Sequence, residues 1–245
     1  NMIKIAAKHG IRKIFNVGDF GIWTHDEDGI GYLDTMNAEA RKHGIKIYFV
    51  RGNHENKVHL DWWEKNNPRT WQDHVIVRSH IFYVLDGTRW MWNDKWFMGV
   101  GGAVSIDKDY RLNRERKPNT LWWPGEETDE RVVFALEQRN EHKQEKTDYL
   151  FTHDCPTNAP FKFRLKNDPK SHMNRQIMDR LGKAVRPTLW FHGHMHDKFD
   201  GYDFPAYNAH TSVYGLECDA MAWNWGVLDT KIGRASCRER VSSPV

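Results

Sequence analysis

The stretch that decides the fold is Phe49-Val50-Arg51-Gly52-Asn53-His54-Glu55. The apolar, β-branched run from Ile45 to Val50 predicts a buried strand that stops at a glycine. Three polar side chains follow at once, and in an open α/β sheet ligands collect where strands end. Asn53 can offer a neutral amide oxygen to a metal ion, and His54 can donate a proton or stabilise a developing negative charge. The stretch therefore predicts a functional site at a strand end.

The same pattern recurs at three other predicted strand ends. In each case an apolar run is followed directly by aspartate or histidine. These three stretches are Val17-Gly18-Asp19, Leu150-Phe151-Thr152-His153-Asp154 and Phe191-His192-Gly193-His194-Met195-His196. Four hydrophobic runs that all end in Asp, Asn or His predict one site assembled from distant parts of the chain.

The set G-D, G-N-H-E, T-H-D and G-H-x-H, in that order, resembles the calcineurin-like metallophosphoesterase superfamily over about Ile3 to Asp229. The resemblance implies an α/β fold, a four-layer αββα sandwich with two mixed β-sheets between helix layers. It implies hydrolysis of a phosphate ester by a dinuclear metal centre with a bridging hydroxide. Two divalent ions are expected, with manganese preferred and iron, zinc or magnesium as alternatives.

Carried over residue by residue, the resemblance assigns Asp19 as the carboxylate that bridges the two ions and takes part in catalysis. Asn53, His153 and His194 would complete the protein shell of one ion. His196 would face the other ion, because alternation along an extended segment separates its direction from that of His194. Oxygen and imidazole ligands suit divalent ions that act on phosphate.

The resemblance assigns His54 a catalytic role, either protonating the leaving oxygen or stabilising the transition state. In the family a second aspartate of G-D-x-x-D orients this histidine, but Ile22 occupies that position here. Asp26 and Asp154 are the two candidate replacements. Arg111, in a long irregular segment, is a candidate substrate-phosphate contact because arginine suits bidentate phosphate recognition. The competing interpretation of Arg111 is a solvated loop cation.

A second departure concerns the other ion. The family's first motif, Asp-x-His, supplies two of its ligands, and no Asp-x-His occurs in the 245 residues. We therefore expect the chain to be truncated at its amino end, to bind about one equivalent of metal tightly and to turn over poorly. An upstream strand ending in Asp-x-His-Gly would be expected to restore the second equivalent.

Three function classes stay open from the residues. The first is a phosphomonoesterase or protein-phosphatase-like enzyme acting on a phosphorylated substrate, the second is a nuclease or phosphodiesterase, and the third is an inactive metal- or nucleic-acid-binding module. Some tryptophans could stack on bases, although packing is the expected role; they are Trp62, Trp63, Trp90, Trp92, Trp122 and Trp123. A net charge of +3 gives little support to nucleic acid, since the carboxyl-terminal tail contributes most of it.

Composition predicts a globular chain, with 39% hydrophobic and 28% charged residues. No apolar run reaches the length of a membrane span, and three separated cysteines indicate a reducing compartment, so a cytoplasmic location is expected. One domain is predicted over residues 1–231. Residues 232–245 are expected to be a non-native or disordered tail. The oligomeric state is left open.

The order of the predicted elements supports the α/β assignment. Strands over Ile11–Val17 and Ile45–Val50, with a helix between them, predict a parallel sheet. Short β-rich runs from His74 to Gly101, interrupted by Asp86-Gly87 and Asn93-Asp94, predict hairpins of antiparallel strands in a second sheet.

Overall fold

The structure is a computed structural model that describes residues 2–22, 27–112, 122–143, 145–160, 168–206, 209–218, 224–230 and 234–237. No helix within these ranges is long and apolar enough to span a membrane.

The first sheet has four strands in the order β1-β2-β4-β3. Strands β1, β2 and β4 are parallel, and β3 is antiparallel to β4 at one edge. The strands are β1 (Lys13–Asn16), β2 (Lys46–Phe49), β3 (Val75–Arg78) and β4 (Ile81–Tyr83), and the helices that accompany them are α1 (Met2–Lys8), α2 (Glu27–Lys42) and α3 (Lys57–Asn66).

The second sheet has six strands in the order β5-β6-β7-β8-β10-β9. Its four central strands are parallel and its two edge strands are antiparallel. The strands are β5 (Arg89–Trp92), β6 (Lys95–Val100), β7 (Tyr149–Thr152), β8 (Leu189–His192), β9 (Phe199–Ala206) and β10 (Ala209–Gly215), and the helices are α4 (Lys108–Leu112), α5 (Glu130–Lys143) and α6 (Pro169–Val185).

Three hydrophobic clusters show how the layers stack. Along β2, Ile47 and Phe49 pack in the cluster that holds α1 to α3, whereas Tyr48 packs in a cluster shared with the second sheet. A third cluster joins the other face of the second sheet to α5 and α6. The period-two alternation of side chains in a strand produces this division. The predicted four-layer αββα sandwich is confirmed.

The layer between the sheets is mainly aromatic. Phe15 stacks on Phe151 of the opposite sheet with ring centroids 4.1 Å apart. Tyr48 meets Trp92 edge-to-face at 4.7 Å. Trp90, 2% exposed, belongs to the same layer, as expected for a tryptophan used in packing.

Helix ends follow local sequence signals. The Asn56 side chain accepts a hydrogen bond from His59 N at the start of α3. At the start of α6, Asp168 accepts from Ser171 N and Pro169 follows it, a combination that favours a helix N-terminus. Met178, Leu181 and Val185 then recur on the buried face of α6.

The hairpin prediction is correct in part. Asn93-Asp94 closes the β5–β6 hairpin of the second sheet. The β3–β4 pair belongs to the first sheet instead, because β4 runs parallel to β2 and Val84 N continues the ladder to Phe49 O. Asp86-Gly87 therefore lies where the chain passes from the first sheet to the second.

Four residues of the predicted tail, Arg234–Cys237, form strand β12, which pairs antiparallel with β11 (Gly226–Asp229). That residues 232–245 are a non-native or disordered tail stays a prediction. The division of the chain at residue 231 stays a prediction.

Candidate metal centre

Four strand ends form the pocket, two from each sheet. Asp19 and Asn53 follow the neighbouring strands β1 and β2, and His153 and His194 follow the neighbouring strands β7 and β8. The His153 ring crosses between the sheets, with Nδ1 2.7 Å from the Val17 carbonyl oxygen. Residues far apart in sequence thus meet because the carboxyl ends of both sets of parallel strands point the same way.

Three side-chain atoms of the pocket converge. His153 Nε2 lies 2.9 Å from Asn53 Oδ1 and 3.4 Å from Asp19 Oδ1. Both Asn53 and His153 are buried, at 3% and 2% exposure. The His194 ring lies next to that of His153, with centroids 4.9 Å apart. The structure therefore brings together the four residues expected to hold the first ion.

The convergence requires a positive charge. Because the Val17 carbonyl can only accept, the Nδ1 of His153 carries a hydrogen. Its Nε2 then faces two oxygen acceptors, which is unfavourable unless a proton or a metal ion lies between them. A ring nitrogen fixed by a carbonyl on its other side is the usual arrangement of a metal-binding histidine. The residues present therefore fit a divalent ion.

The pKa values of the pocket residues are shifted by one another's charges and by burial. Burial alone would lower the pKa of His153, but Asp19 and the Val17 carbonyl raise it to about 9. Burial would raise the pKa of Asp19, yet the neighbouring histidines hold it well below its ordinary value. For His194, burial and the His153 charge lower the pKa to about 3. Asp19 is thus ionised and His194 is neutral near pH 7, as ligands of a metal must be.

Glu55 fixes the backbone around Asp19. Its carboxylate is buried and accepts hydrogen bonds from the backbone N–H groups of Asp19, Gly21 and Gly52. Burial and the Asp19 charge raise its pKa to about 7. Gly52 allows this close approach, because a Cβ there would lie 2.1 Å from Asp19 Oδ1. Glu55 therefore joins the loops after β1 and β2.

Three of the five predicted ligands have left-handed backbone. The φ angles are 52° at Asp19, 62° at His194 and 50° at His196. Residues other than glycine rarely adopt this conformation, and where they do they cluster at functional sites. The backbone conformation thus supports a functional role for the loop after β1 and the loop after β8.

The predicted second ion has weaker support. His196 is exposed, in contrast to the buried His153. Within the described ranges, no three His, Cys, Asp or Glu side chains form a group that could hold an ion. The pocket therefore depends on the amide oxygen of Asn53, and His196 as a ligand stays a prediction.

His54 lies beside the three converging atoms. Its backbone N–H donates to Asp19 Oδ1 at 3.1 Å, and its ring Nδ1 lies 3.4 Å from Arg111 Nη2. Burial lowers the pKa of His54, and the Arg111 charge lowers it further. An arginine N–H can only donate, so Nδ1 of His54 is the accepting nitrogen and Nε2 carries the hydrogen.

Of the two proposed replacements for the missing second aspartate, only Asp154 lies among the described residues, and the hydrogen bonds of its carboxylate do not include one to His54. Asp154 is buried and accepts from Cys155 N and from Asn174 Nδ2. Asp26 lies outside the described residues, and Ile22 is fully buried in the core. Among the described residues, Arg111 is the side chain that contacts the His54 ring.

The two arginines near the site differ in role. Arg111 is 3% exposed and contacts Ser105 Oγ and His54, so it is not a solvated loop cation. Arg51 instead binds Asp86 and the carbonyls of Gly125, Glu126 and Glu127. Sequence reasoning gave no role to Arg51, Ser105 or Glu126, since only the spatial contacts identify them.

Comparison with known proteins agrees with this geometry. A family model for calcineurin-like phosphoesterases matches residues 2–198.

The chain belongs to the calcineurin-like phosphoesterase family.

Other comparisons add less. Among solved structures, the chain resembles a dimetal phosphatase from Danio rerio, with 14% identity, a TM-score of 0.45, and coverage of 88% of this chain and 75% of that one. No curated protein matches the chain. The family assignment therefore rests on the family model and on the residues at the four strand ends.

Proposed function

We propose that this calcineurin-like phosphoesterase hydrolyses phosphomonoesters at the pocket formed by Asp19, Asn53, His153 and His194. The observation that carries the proposal is the convergence of three acceptor atoms on one point, with His54 and Arg111 directly beside it. A divalent ion bound there would polarise the phosphate and lower the pKa of water. Manganese is the preferred ion in this proposal, and a second ion would bind less tightly because the sequence has no Asp-x-His to supply its ligands.

The side chains around the ion have separate tasks. Asp19 would supply the negative charge that holds the ion, and the Val17 carbonyl fixes the His153 ring so that Nε2 would face it. His54 would present Nε2–H to the leaving oxygen as a hydrogen-bond donor and stabilise the negative charge that develops there as the ester bond breaks. Because its Nδ1 accepts from Arg111, the imidazole is held in the tautomer that this step requires.

Arg111 favours a monoester over a diester. A monoester phosphate carries one more negative charge and one more terminal oxygen than a diester. A buried guanidinium next to His54 adds a cation and several donors to the metal charge. The site is therefore better matched to a dianionic phosphate.

The test compares p-nitrophenyl phosphate, bis-p-nitrophenyl phosphate and single-stranded DNA as substrates in the presence of Mn²⁺. We expect the monoester to be hydrolysed fastest, and Asp19→Asn to remove the activity. Faster cleavage of the bis-ester or of DNA would identify a phosphodiesterase or nuclease instead. Bound metal with no turnover on any substrate would favour an inactive binding module.

A further inference from the structure

One buried hydroxyl connects the two halves of the proposed site. Ser105 Oγ lies 2.8 Å from Asn53 Nδ2 and 2.6 Å from Arg111 Nη1. It also donates to Glu126 Oε2 at 2.5 Å, and Ser105 N donates to Glu126 Oε1 at 2.9 Å. All four side chains are buried, with exposures between 1% and 4%.

The donor and acceptor roles in this network have one solution. Glu126, when ionised, can only accept, so the Ser105 hydroxyl hydrogen points at it. The two lone pairs of Ser105 Oγ are then left for the amide N–H of Asn53 and the guanidinium N–H of Arg111. The hydroxyl is fully used, with one hydrogen bond donated and two accepted.

This arrangement fixes the orientation of the Asn53 amide. Which end of an asparagine amide carries oxygen is decided by its hydrogen-bond partners. With its nitrogen bound to Ser105, Asn53 directs Oδ1 at His153 Nε2, 2.9 Å away. An inverted amide would direct an N–H at the ion position and remove one ligand from it.

The same hydroxyl holds Arg111. Nη1 is bound to Ser105 while Nη2 lies against His54 Nδ1, so the guanidinium has a fixed position next to the catalytic histidine. Pre-organised charge is more effective than charge that must be ordered on binding. Ser105 therefore contacts both the metal ligand Asn53 and the proposed phosphate contact Arg111. It would itself touch neither the metal ion nor the phosphate.

We infer that Ser105, held by Glu126, is a positioning residue that sets the Asn53 amide for metal and the Arg111 guanidinium for phosphate at the same time. The inference rests on the proposed function where it treats Arg111 as a phosphate contact. It predicts that one substitution at a residue that touches neither the metal ion nor the phosphate weakens the binding of both. It also predicts that phosphate binding suffers even when metal is absent.

The first variant is Ser105→Ala, which removes the shared acceptor. We expect Mn²⁺ affinity to fall about 10- to 100-fold, the range for residues that orient metal ligands. Inorganic phosphate should bind about tenfold more weakly, with or without Mn²⁺, because losing one charged hydrogen bond has an effect of this size. Calorimetric titration of each ion measures both values without any turnover.

The second variant, Glu126→Gln, keeps the size of the side chain. The Ser105 hydroxyl and the Ser105 backbone N–H both donate to the Glu126 carboxylate. A glutamine must turn its NH₂ group toward one of them, so that one N–H donor faces another donor in either orientation. We expect it to reproduce the losses of Ser105→Ala, and Ser105→Thr, which keeps the hydroxyl, to recover most of the affinity. If Ser105→Ala does not fold by circular dichroism, Glu126→Gln decides the question.

The matched control is Ser171→Ala, the same change at a buried serine in the first turn of α6. It should leave both affinities within about twofold of the wild type, like most substitutions away from a site. If Ser105→Ala or Glu126→Gln resembles this control for either ion, the inference is overturned. A wild type that binds both ions but cleaves no ester would refute the proposed function alone, and the titrations would still decide the role of Ser105.

Discussion

The pocket at the strand ends and the aromatic layer between the sheets each bury a histidine, with opposite results. His153 in the pocket has its pKa raised to about 9, whereas burial lowers the pKa of His74 in the layer to about 4. Both side chains are almost inaccessible, at 2% and 1% exposure. Burial alone therefore does not decide the charge of a histidine in this protein.

The surroundings explain the difference. His153 faces Asp19, Asn53 and the Val17 carbonyl, all of which are acceptors. The ring of His74 instead meets those of Tyr48, Trp90 and Trp92, and its Nε2 has no hydrogen-bond partner. A cation is favoured in the first environment and unfavourable in the second. The pocket is thus built to hold positive charge, and the aromatic layer is built to exclude it.

The largest effect should come from removing the charge that distinguishes the pocket. Asp19→Asn keeps the shape but takes away the carboxylate that raises the pKa of His153. We expect Mn²⁺ to bind more than about 100-fold more weakly, a larger loss than is usual for residues that only orient the metal ligands. Activity should disappear together with the bound metal. Calorimetry measures the affinity, and NMR titration of the His153 ring should show its pKa falling. A variant that binds Mn²⁺ as well as the wild type would exclude Asp19 as a ligand.

The next effect separates chemistry from metal binding. His54→Ala should lower turnover of p-nitrophenyl phosphate about 10²- to 10³-fold, the usual cost of losing one hydrogen-bond donor to developing negative charge. Bound metal should change little, because Asp19, Asn53 and His153 are intact. Metal analysis of the purified variant is the control. Loss of metal as complete as in Asp19→Asn would show that His54 holds the ion rather than acting on the leaving group.

A pH experiment tests the aromatic layer. Below its ordinary pKa of about 6.5, His74 takes up a proton in the unfolded chain but not in the folded protein until about pH 4. Because His74 stays neutral in the folded protein, the free energy of unfolding falls progressively as the pH falls from 6.5 to 4. At pH 5 the loss is about 2 kcal/mol. His74→Phe removes this term, so its stability relative to the wild type should rise by that amount between pH 7 and pH 5.

Urea unfolding at the two pH values measures the change in free energy. Other groups also titrate in this range, including His192, whose pKa burial lowers to about 4. The difference between variant and wild type isolates His74. The control variant, His172→Gln, removes an exposed histidine that lies outside the aromatic layer. An equal response of both variants would mean that His74 is not the cause.

The smallest effect is expected at the exposed edge of the pocket. His196→Ala should leave the affinity of the tight Mn²⁺ equivalent within about twofold, because the side chain is exposed. Titration of the wild type should show about one tight equivalent, since the sequence has no Asp-x-His to supply a second ion. Two tight equivalents would show that other side chains replace those ligands.

Sequence reasoning succeeded where the information is local. The apolar run from Ile45 to Val50 identified a buried strand, and the order of the predicted helices and strands indicated an α/β fold. The polar residues at the ends of four apolar runs identified Asp19, Asn53, His153 and His194 as neighbours. Both inferences need only the local pattern of apolar residues and the rule that parallel strands end together.

The tertiary structure decided what depends on packing one sheet against the other. The contact between His153 and Asn53 joins residues 100 positions apart, and its distance follows from the aromatic layer that separates the sheets. The same holds for Ser105 and Glu126, whose sequence neighbours carry no signal of a site. Ser105, which follows β6 of the second sheet, meets Asn53, which follows β2 of the first sheet, so this hydrogen bond exists only after both sheets have assembled. A strand period determines which way a side chain points, but only the packed fold determines what it meets.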